Sequence, residues 1–255
     1  MATFLGGACA VQSKRVLAQN QILRVGGPII PPYWHMQAGA PAGSLVELMR
    51  KVTSEAGFAM KADIFPSARL AYEIIQGSVD LVVTMRHSKL DEAPALLRSA
   101  EPIAALWLNL YSHRTPVVIR TQDDLRGRTV AVVRGYGYGA LRAWLDRPES
   151  GVVLVEVNDA RAALLMVSAG RVPFALAYDI NYDHAVAQLG GSLPDVVTNP
   201  MTMLHAHLYL NREVVSRPEE TLAALVAAHG RLVARGEAVK MPGHDLLFSD
   251  RIAAP

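Results

Sequence analysis

A glycine-rich loop gives the most specific chemical signal in the sequence. Residues 134–140 read Arg-Gly-Tyr-Gly-Tyr-Gly-Ala and fall between a predicted strand and a predicted helix. The N–H groups at the start of a helix lack backbone partners and bear partial positive charge, and glycine lets a ligand approach them closely. The loop therefore predicts an anion-binding site at Gly135, Tyr136, Gly137 and Tyr138.

Two other interpretations of this loop are open. Gly135, Gly137 and Ala140 match the pattern G-x-G-x-x-A, and Glu156 lies about 20 residues further on, as a dinucleotide fingerprint requires. Against a nicotinamide or flavin, two tyrosines fill positions where a pyrophosphate needs room, and the next helix is short. The third interpretation is a tight turn with a purely structural role.

An aromatic pair follows two prolines near the start of the chain. Proline fixes the loop, and a flat ring at the end of a first strand can form a stacking wall for a ligand or its cation. The pair is Tyr33 and Trp34. We expect one of these rings to contact a ligand and the other to pack beneath the loop.

Polar side chains also follow predicted strands at their carboxyl ends, where open α/β sheets bind ligands. Residues 84–87 are Thr84, Met85, Arg86 and His87, and a hydroxyl with a guanidinium group suits a carboxylate. Asp179 likewise lies at the carboxyl end of a predicted strand, at 174–177, and its carboxylate suits an ammonium group.

Each of these candidates has a structural alternative. Arg86 can pair with Asp91 or Glu92 in its own loop, and Asp179 can cap the turn that follows it. Arg69 is open between a ligand contact and an ion pair on its helix face.

The sequence shows little of the residue spacing that a catalytic or metal-binding site requires. Ser44, Ser67 and Ser88 lack the G-x-S-x-G elbow, and the single cysteine, Cys9, excludes an intramolecular disulfide and paired-cysteine metal sites. The pair His205 and His207 shares one strand face, but no HExxH or similar array accompanies it. We expect no catalytic residue, no metal and no cofactor.

Composition indicates a globular protein without nucleic-acid affinity. The 255 residues are 51% hydrophobic and 19% charged, and 25 Lys plus Arg against 23 Asp plus Glu leave a charge of +2. That charge is too small to favour nucleic acid, and no apolar run reaches the roughly 18 residues of a membrane span. Residues 1–21 predict a leader or atypical export signal, although its basic residues follow the apolar stretch instead of preceding it.

Helical and strand patterns alternate along the chain, which predicts an α/β domain with a mainly parallel sheet. In the first part, helices are predicted over residues 44–56 and 66–75 and a strand buried on both faces over 79–84. The plan then repeats, with predicted strands at 116–119, 129–133, 152–155 and 174–177 and predicted helices at 140–145 and 160–169. An extended segment to residue 210 and a long helix from Pro218 follow.

The order of these elements resembles the type II periplasmic solute-binding proteins, specifically the family 3 extracellular group that serves polar amino-acid import. The resemblance covers residues 22–236. It depends on the segments ILRV at 22–25, PPY at 31–33, GSLVEL at 43–48, PSAR at 66–69, GSVD at 77–80, DLRGRTVAV at 124–132 with Gly135, and GRV at 170–172.

The resemblance implies an α/β, two-lobed fold with mixed, mostly parallel sheets and a two-segment hinge. Lobe 1 would comprise residues 22–112 and 202–255, and lobe 2 residues 113–201. The crossings would lie near Tyr111–Thr115 and Asn199–Met203. The ligand would lie between Tyr33, Trp34 and residues 84–87 of lobe 1 and Gly135–Tyr138 with Asp179 of lobe 2.

The chain departs from the family pattern at three positions. Glu92 and Ala93 stand where amino-acid binders usually place an arginine for the ligand carboxylate, and Tyr136 replaces the usual threonine or serine. The aspartate that takes the amino group falls at Tyr178, one residue before Asp179. These departures favour a larger or less polar solute over a standard α-amino acid.

The expected function is a periplasmic, non-enzymatic binding protein that captures a small polar organic solute, amino-acid-like or related. It would be a monomer that delivers this ligand to an ABC importer permease in the inner membrane. One alternative is an enzyme on the same fold resembling cyclohexadienyl dehydratase, which needs a general acid such as Glu92 or Asp179 in the cleft. Another is a ligand-sensing module of a membrane receptor.

Overall fold

The structure is a computed structural model that describes residues 21–86, 88–139 and 141–239. The strands are β1 (Ile22–Pro28), β2 (His35–Gln37), β3 (Ala40–Ala42), β4 (Ala59–Phe65), β5 (Leu81–Met85), β6 (Leu96–Arg98), β7 (Ala104–His113), β8 (Thr129–Val133), β9 (Val153–Val157), β10 (Phe174–Tyr178) and β11 (Val196–Asn211). The helices are α1 (Ser44–Glu55), α2 (Ser67–Ile75), α3 (Ser88–Asp91), α4 (Leu141–Leu145), α5 (Ala160–Ser168), α6 (Asp179–Gln188) and α7 (Pro218–Ala234).

Hydrophobic periodicity determines most of these elements. In α1 the buried residues Leu45, Met49 and Val52 recur at three- and four-residue spacing, which gives the helix one apolar face. Leu81, Val82 and Val83 of β5 are all buried, as expected for a strand covered on both faces. These predicted elements are confirmed.

The predicted strand at residues 116–119 is wrong, because this segment is irregular. The N–H of Val117 donates to Oδ1 of Asn199 at 2.7 Å, so a side chain takes the place of a strand partner. Val118, one of the apolar residues of this segment, is exposed.

The described strands, apart from the β2–β3 hairpin, form a nine-stranded sheet in the order β4-β1-β5-β11-β7-β10-β8-β9, with β6 also paired to β11. The pairs β1–β4, β1–β5, β8–β9 and β10–β8 are parallel. The pairs that involve β11, and the pair β10–β7, are antiparallel. Parallel wings therefore lie on either side of a central antiparallel pair.

Strands β7 and β11 cross between the two halves of the molecule. We call the first half β1–β6 with α1–α3 and α7, and the second half β8–β10 with α4–α6. Residues 206–211 of β11 pair with β5 and β6, whereas residues 196–206 pair with β7, which in turn pairs with β10. The sheets of the two halves are continuous with each other because these two strands belong to both.

The crossing has a local irregularity on β11. The register between β7 and β11 shifts between Pro200 and Thr202, and such a bulge bends a strand and increases its twist. Nδ2 of Asn199, beside the bulge, donates to the carbonyl of Leu110 at 2.8 Å and to Oγ of Ser112 at 2.9 Å. The irregularity lies within the predicted crossing at Asn199–Met203. The lobe boundaries themselves stay a prediction, and residues 1–20 of the predicted leader, with Cys9, lie outside the described residues.

Trp34 fixes the loop after β1. Its side chain is fully buried, and its ring lies directly against the backbone of Gly27 in β1. A Cβ atom on residue 27 would overlap the indole ring atoms. The close approach of strand and ring therefore requires glycine at this position.

We expect Gly27→Ala to lower the free energy of unfolding by about 2 kcal/mol, because the added methyl group overpacks a rigid, buried ring. Gly230→Ala in α7 is the matched control, since a Cβ there meets no atom within 4 Å and alanine favours a helix interior. Gly230→Ala should raise stability by about 0.5–1 kcal/mol. Urea unfolding measures both, and equal effects of the two substitutions would contradict this packing.

Candidate ligand-binding site

A cavity of about 190 Å³ lies between the two halves. It is located at the carboxyl ends of β1, β5, β8 and β10, where an open α/β sheet binds its ligands. Both halves contribute to its wall. We call it the central cavity.

The first half supplies a mixed wall. Tyr33 comes from the loop after β1, and Ser67 and Ala68 come from the first turn of α2. First-turn N–H groups lack intrahelical partners, so α2 brings its partly positive end to the cavity. Thr84, Met85, Arg86, Lys89 and Leu90 also lie on this side, with Ile30, Leu70 and Ala71 as apolar neighbours, and β7 contributes Leu106.

The second half supplies three tyrosines. The ring centroids of Tyr136 and Tyr178 lie 5.6 Å apart in a stacked arrangement, and the ring of Tyr138 lies 5.9 Å from Tyr136 and 5.8 Å from Tyr178. Burial raises the pKa of all three hydroxyls above the ordinary value. At neutral pH these side chains therefore contribute neutral aromatic surface and O–H groups, with no negative charge.

The glycine loop packs as a structural turn as well as a cavity wall. The hydroxyl of Tyr138 accepts from the N–H of Val133 at 2.7 Å and donates to the carbonyl of Leu176 at 3.2 Å, which ties the loop to β8 and β10. The helix after the loop, α4, has only five residues. This geometry favours a turn over a phosphate cradle.

The carboxylate of Glu156 is not available to the hydroxyl groups of a ribose. Its Oε1 accepts from Nη2 of Arg142 at 2.6 Å and its Oε2 from Nε of Arg134 at 3.3 Å. These two guanidinium groups lower the pKa of Glu156. Because both carboxylate oxygens have arginine partners and two tyrosine rings occupy the loop, the residues do not fit a dinucleotide.

Three contacts close the cleft around the cavity. The hydroxyl of Tyr136 donates to the carbonyl of Ile29 at 3.4 Å, and Nδ2 of Asn181 donates to the carbonyl of Pro31 at 3.1 Å. The hydroxyl of Tyr178 contacts the sulfur of Met85 at 3.5 Å. Each contact joins one half to the other, so the structure has its halves closed.

Gly135 meets the first half at the start of α2. Its φ is +79°, and a Cβ atom at this position would lie 2.9 Å from the backbone nitrogen of Ala68 and 3.0 Å from its Cβ. The absence of a side chain thus lets the two backbones touch when the halves close.

Most residues predicted from sequence lie on the central cavity. These are Tyr33, Thr84, Met85, Arg86, Gly135, Tyr136, Gly137 and Tyr138. Whether they bind a ligand stays a prediction. His87 lies outside the described residues.

Three predicted site residues do not line the cavity. Trp34 is fully buried and packs beneath its loop, so of the aromatic pair only Tyr33 faces the cavity. Arg69 is mostly exposed and pairs with Glu73 one turn along α2, which corresponds to its structural alternative. Asp179 begins α6, where its Oδ1 accepts from the N–H of Ile180 at 2.9 Å.

Asp179 is half-buried beside the cavity without forming its wall. Burial raises its pKa, backbone hydrogen bonds oppose that effect, and the neighbouring Asp183 adds to it. Glu92, the other acid that an enzymatic mechanism would need, is exposed. Neither is among the described lining residues.

Lining residues that sequence reasoning did not select include Ser67, Ala68, Lys89 and Tyr178. Tyr178 is the last residue of β10, so the end-of-strand rule that selected Asp179 reached one residue too far. Lys89 lies on the single turn of α3, which has no periodic pattern to reveal it.

The charged residues of the cavity wall are basic. Nε of Arg86 donates to Oδ2 of Asp91 at 3.0 Å, and Arg98 pairs with the other oxygen of the same carboxylate at 3.2 Å. Arg86 and Lys89 line the cavity, whereas the described wall contains no Asp or Glu.

Residues 21–86, 88–139 and 141–239 contain no cluster of His, Cys, Asp and Glu that could hold a metal ion. His207 is buried, and its Nδ1 lies 3.0 Å from the carbonyl of Ser99, so its place is structural. Within the same ranges, no helix has the length and apolar character that a membrane crossing requires.

Solved structures with similar folds include a sensor domain and substrate-binding proteins. A histidine kinase sensor domain with similarity to periplasmic binding proteins superposes with a TM-score of 0.70 at 20% identity, covering 86% of this chain and 93% of that one. An ancestral arginine-binding protein bound to arginine gives 0.68 at 16% identity, with coverages of 86% and 95%. The substrate-binding protein of an amino-acid ABC transporter gives 0.62 at 14%, with coverages of 85% and 95%.

The chain therefore has the two-lobed α/β fold of the periplasmic binding proteins, and the fold expected from the sequence resemblance is confirmed. The neighbours include substrate-binding proteins of amino-acid ABC transporters, the group that the sequence resembles. No family model and no curated protein sequence matches the chain.

We expect Gly135→Ala to hold the halves apart, because its methyl group would press on the backbone of Ala68 only in the closed form. Gly127→Ala is the matched control: its φ is +70°, so alanine is similarly strained, but its Cβ meets no atom within 4 Å. Both should lose about 1 kcal/mol of stability. Under conditions in which the unsubstituted protein is closed, small-angle X-ray scattering should show a larger radius of gyration for Gly135→Ala alone, and identical curves for the two variants would contradict the contact.

Proposed function

We propose that this protein is a binding protein that closes its two halves on one small organic molecule in the central cavity. The observation that supports this most directly is that the cavity wall comes from both halves, with Tyr33 and Thr84 on one side and Tyr136 and Tyr178 on the other. A ligand that contacts both walls favours the closed form, because it binds that form better than the open one.

The wall is suited to recognition. Its aromatic and aliphatic side chains provide apolar contact area, and a few polar groups at fixed positions provide orientation, as is typical of small-molecule sites. No catalytic function is proposed, because Glu92 and Asp179, the acids considered as proton donors, lie off the wall.

The role we propose is transport. In this proposal the protein acts in the periplasm as a monomer and hands its ligand to an ABC importer permease of the inner membrane. The substrate-binding protein of an amino-acid ABC transporter among the structural neighbours supports this role.

Ligand sensing is the second candidate. Its support is the likeness to a histidine kinase sensor domain, which shares the fold at a TM-score of 0.70. The same cavity would serve either role, so the two differ in the partner that reads the closed form.

We expect a thermal-shift screen of protein freed of copurified ligand by unfolding and refolding to find a stabilising small molecule among amino acids, polyamines, opines and organic acids. Ala71→Phe should abolish that shift, because Ala71 lines the cavity and the ring would fill it. Ala223→Phe, at an exposed position of α7, should leave the shift unchanged. No shift with any compound, or an undiminished shift in Ala71→Phe, would contradict the proposed site.

Uptake of the radiolabelled ligand then separates the two roles. We expect deletion of the gene to abolish high-affinity uptake, because the binding protein supplies ligand to its permease. Unchanged uptake together with a lost transcriptional response to the ligand would replace the transport role with sensing.

A further inference from the structure

We infer, resting on the proposed function, that the ligand is a small monocarboxylate with a compact aromatic or branched aliphatic body and no ammonium group. Two observations support this inference: the size of the cavity, and a described wall with basic but no acidic side chains.

Cavity size limits the ligand body to about one ring. A cavity of about 150 Å³ lined by apolar side chains holds one benzene molecule. The central cavity, at about 190 Å³, therefore has room for a six-membered ring or a branched chain of similar volume with one small polar group. The rings of Tyr136 and Tyr178, with Leu70 and Leu106, offer that body an apolar surface.

An ammonium group would have no anionic partner on this wall. Among the described lining residues there is no Asp or Glu, and the residue at the carboxyl end of β10 that lines the cavity is Tyr178. The raised pKa values of Tyr136, Tyr138 and Tyr178 keep their hydroxyls neutral. Burying an unpaired ammonium group here would therefore be strongly unfavourable.

Asp179 does not supply an acid to the cavity wall. It is absent from the wall, its Oδ1 accepts from the N–H of Ile180, and its neighbouring ionisable groups are Tyr33, Tyr111 and Asp183. The fully buried body of Tyr178 occupies the preceding position at the end of β10.

The basic part of the cavity wall favours an anion. Arg86 and Lys89 line it, and the start of α2 adds N–H groups through Ser67 and Ala68. Asp91 is shared between Arg86 and Arg98 and accepts from the hydroxyl of Tyr209 as well, so one carboxylate faces two guanidinium groups. The guanidinium group of Arg86, together with the hydroxyl of Thr84, suits a ligand carboxylate.

Matched pairs of probes test the missing ammonium group. Calorimetric titrations compare phenylacetate with L-phenylglycine and 4-methylpentanoate with L-leucine, and each pair differs by one amino group. We expect at least one of the two acids to bind, and its amino acid to bind at least about 100-fold more weakly. Equal or tighter binding of the amino acid would overturn the inference and leave the proposed function standing.

A second comparison tests the carboxylate. Phenylacetamide has nearly the shape of phenylacetate without its charge, and we expect it to bind at least about tenfold more weakly. Arg86→Gln should remove this preference. Arg98→Gln is the matched control, since it also removes an ion pair with Asp91 but does not line the cavity, and it should keep the preference.

The outcomes distinguish this inference from the function on which it rests. If the acids fail while a polyamine, a sugar or another class binds and Ala71→Phe abolishes that binding, the ligand class is overturned and the binding function is not. If Arg86→Gln and Arg98→Gln behave alike, Arg86 is not the carboxylate partner and the inference fails. If no small molecule binds at all, the proposed function fails with it.

Discussion

The pairing of β7 with β11 is the constraint on which the rest of the structure depends. These two long strands are the only described strands that connect both halves. They pair with each other, β7 also pairs with β10 of the second half, and β11 also pairs with β5 of the first half. They bring the carboxyl ends of β5 and of β10 to the two sides of one cleft. The register shift between Pro200 and Thr202 interrupts the β7–β11 pairing at the point where the chain passes between the halves.

Closure depends on small contacts between backbones and on tyrosine hydroxyls. Gly135 reaches the first turn of α2 because it has no side chain, while Tyr136 and Asn181 donate to carbonyls of the loop after β1. Individual hydrogen bonds of this kind contribute about 1 kcal/mol each. The closed and open forms can therefore lie close enough in free energy for a ligand to determine which form prevails.

The sequence predicted the fold class and most elements because their signals are local. Periodicity located α1 and the buried strand β5, and the order of elements pointed to two α/β units. The strand predicted at 116–119 failed because pairing depends on distant neighbours, and here the side chain of Asn199 binds the segment. Apolar composition alone does not reveal whether a strand partner exists.

Site residues could be predicted from the sequence where they follow the end of a strand. They were harder to predict where side-chain packing determines which residue faces the cavity. The rule that ligands bind at strand ends selected Thr84, Arg86 and the glycine loop, all of which line the cavity. It could not decide between Tyr33 and Trp34, because only the close approach of Gly27 shows which ring is buried. Arg69 and Asp179 are held by local partners instead: Arg69 pairs with Glu73, and Asp179 accepts from the N–H of Ile180.

The distance between the two halves, measured with and without ligand, tests closure most directly. Spin labels at Lys51 in α1 and Ala187 in α6, both exposed, in a chain with Cys9 replaced, report this distance by double electron–electron resonance. If the halves close on the ligand, the distribution is broad without it and becomes narrower and shorter when the stabilising ligand is added. A ligand that binds in the central cavity and leaves the distribution unchanged would contradict closure as the working motion of this protein.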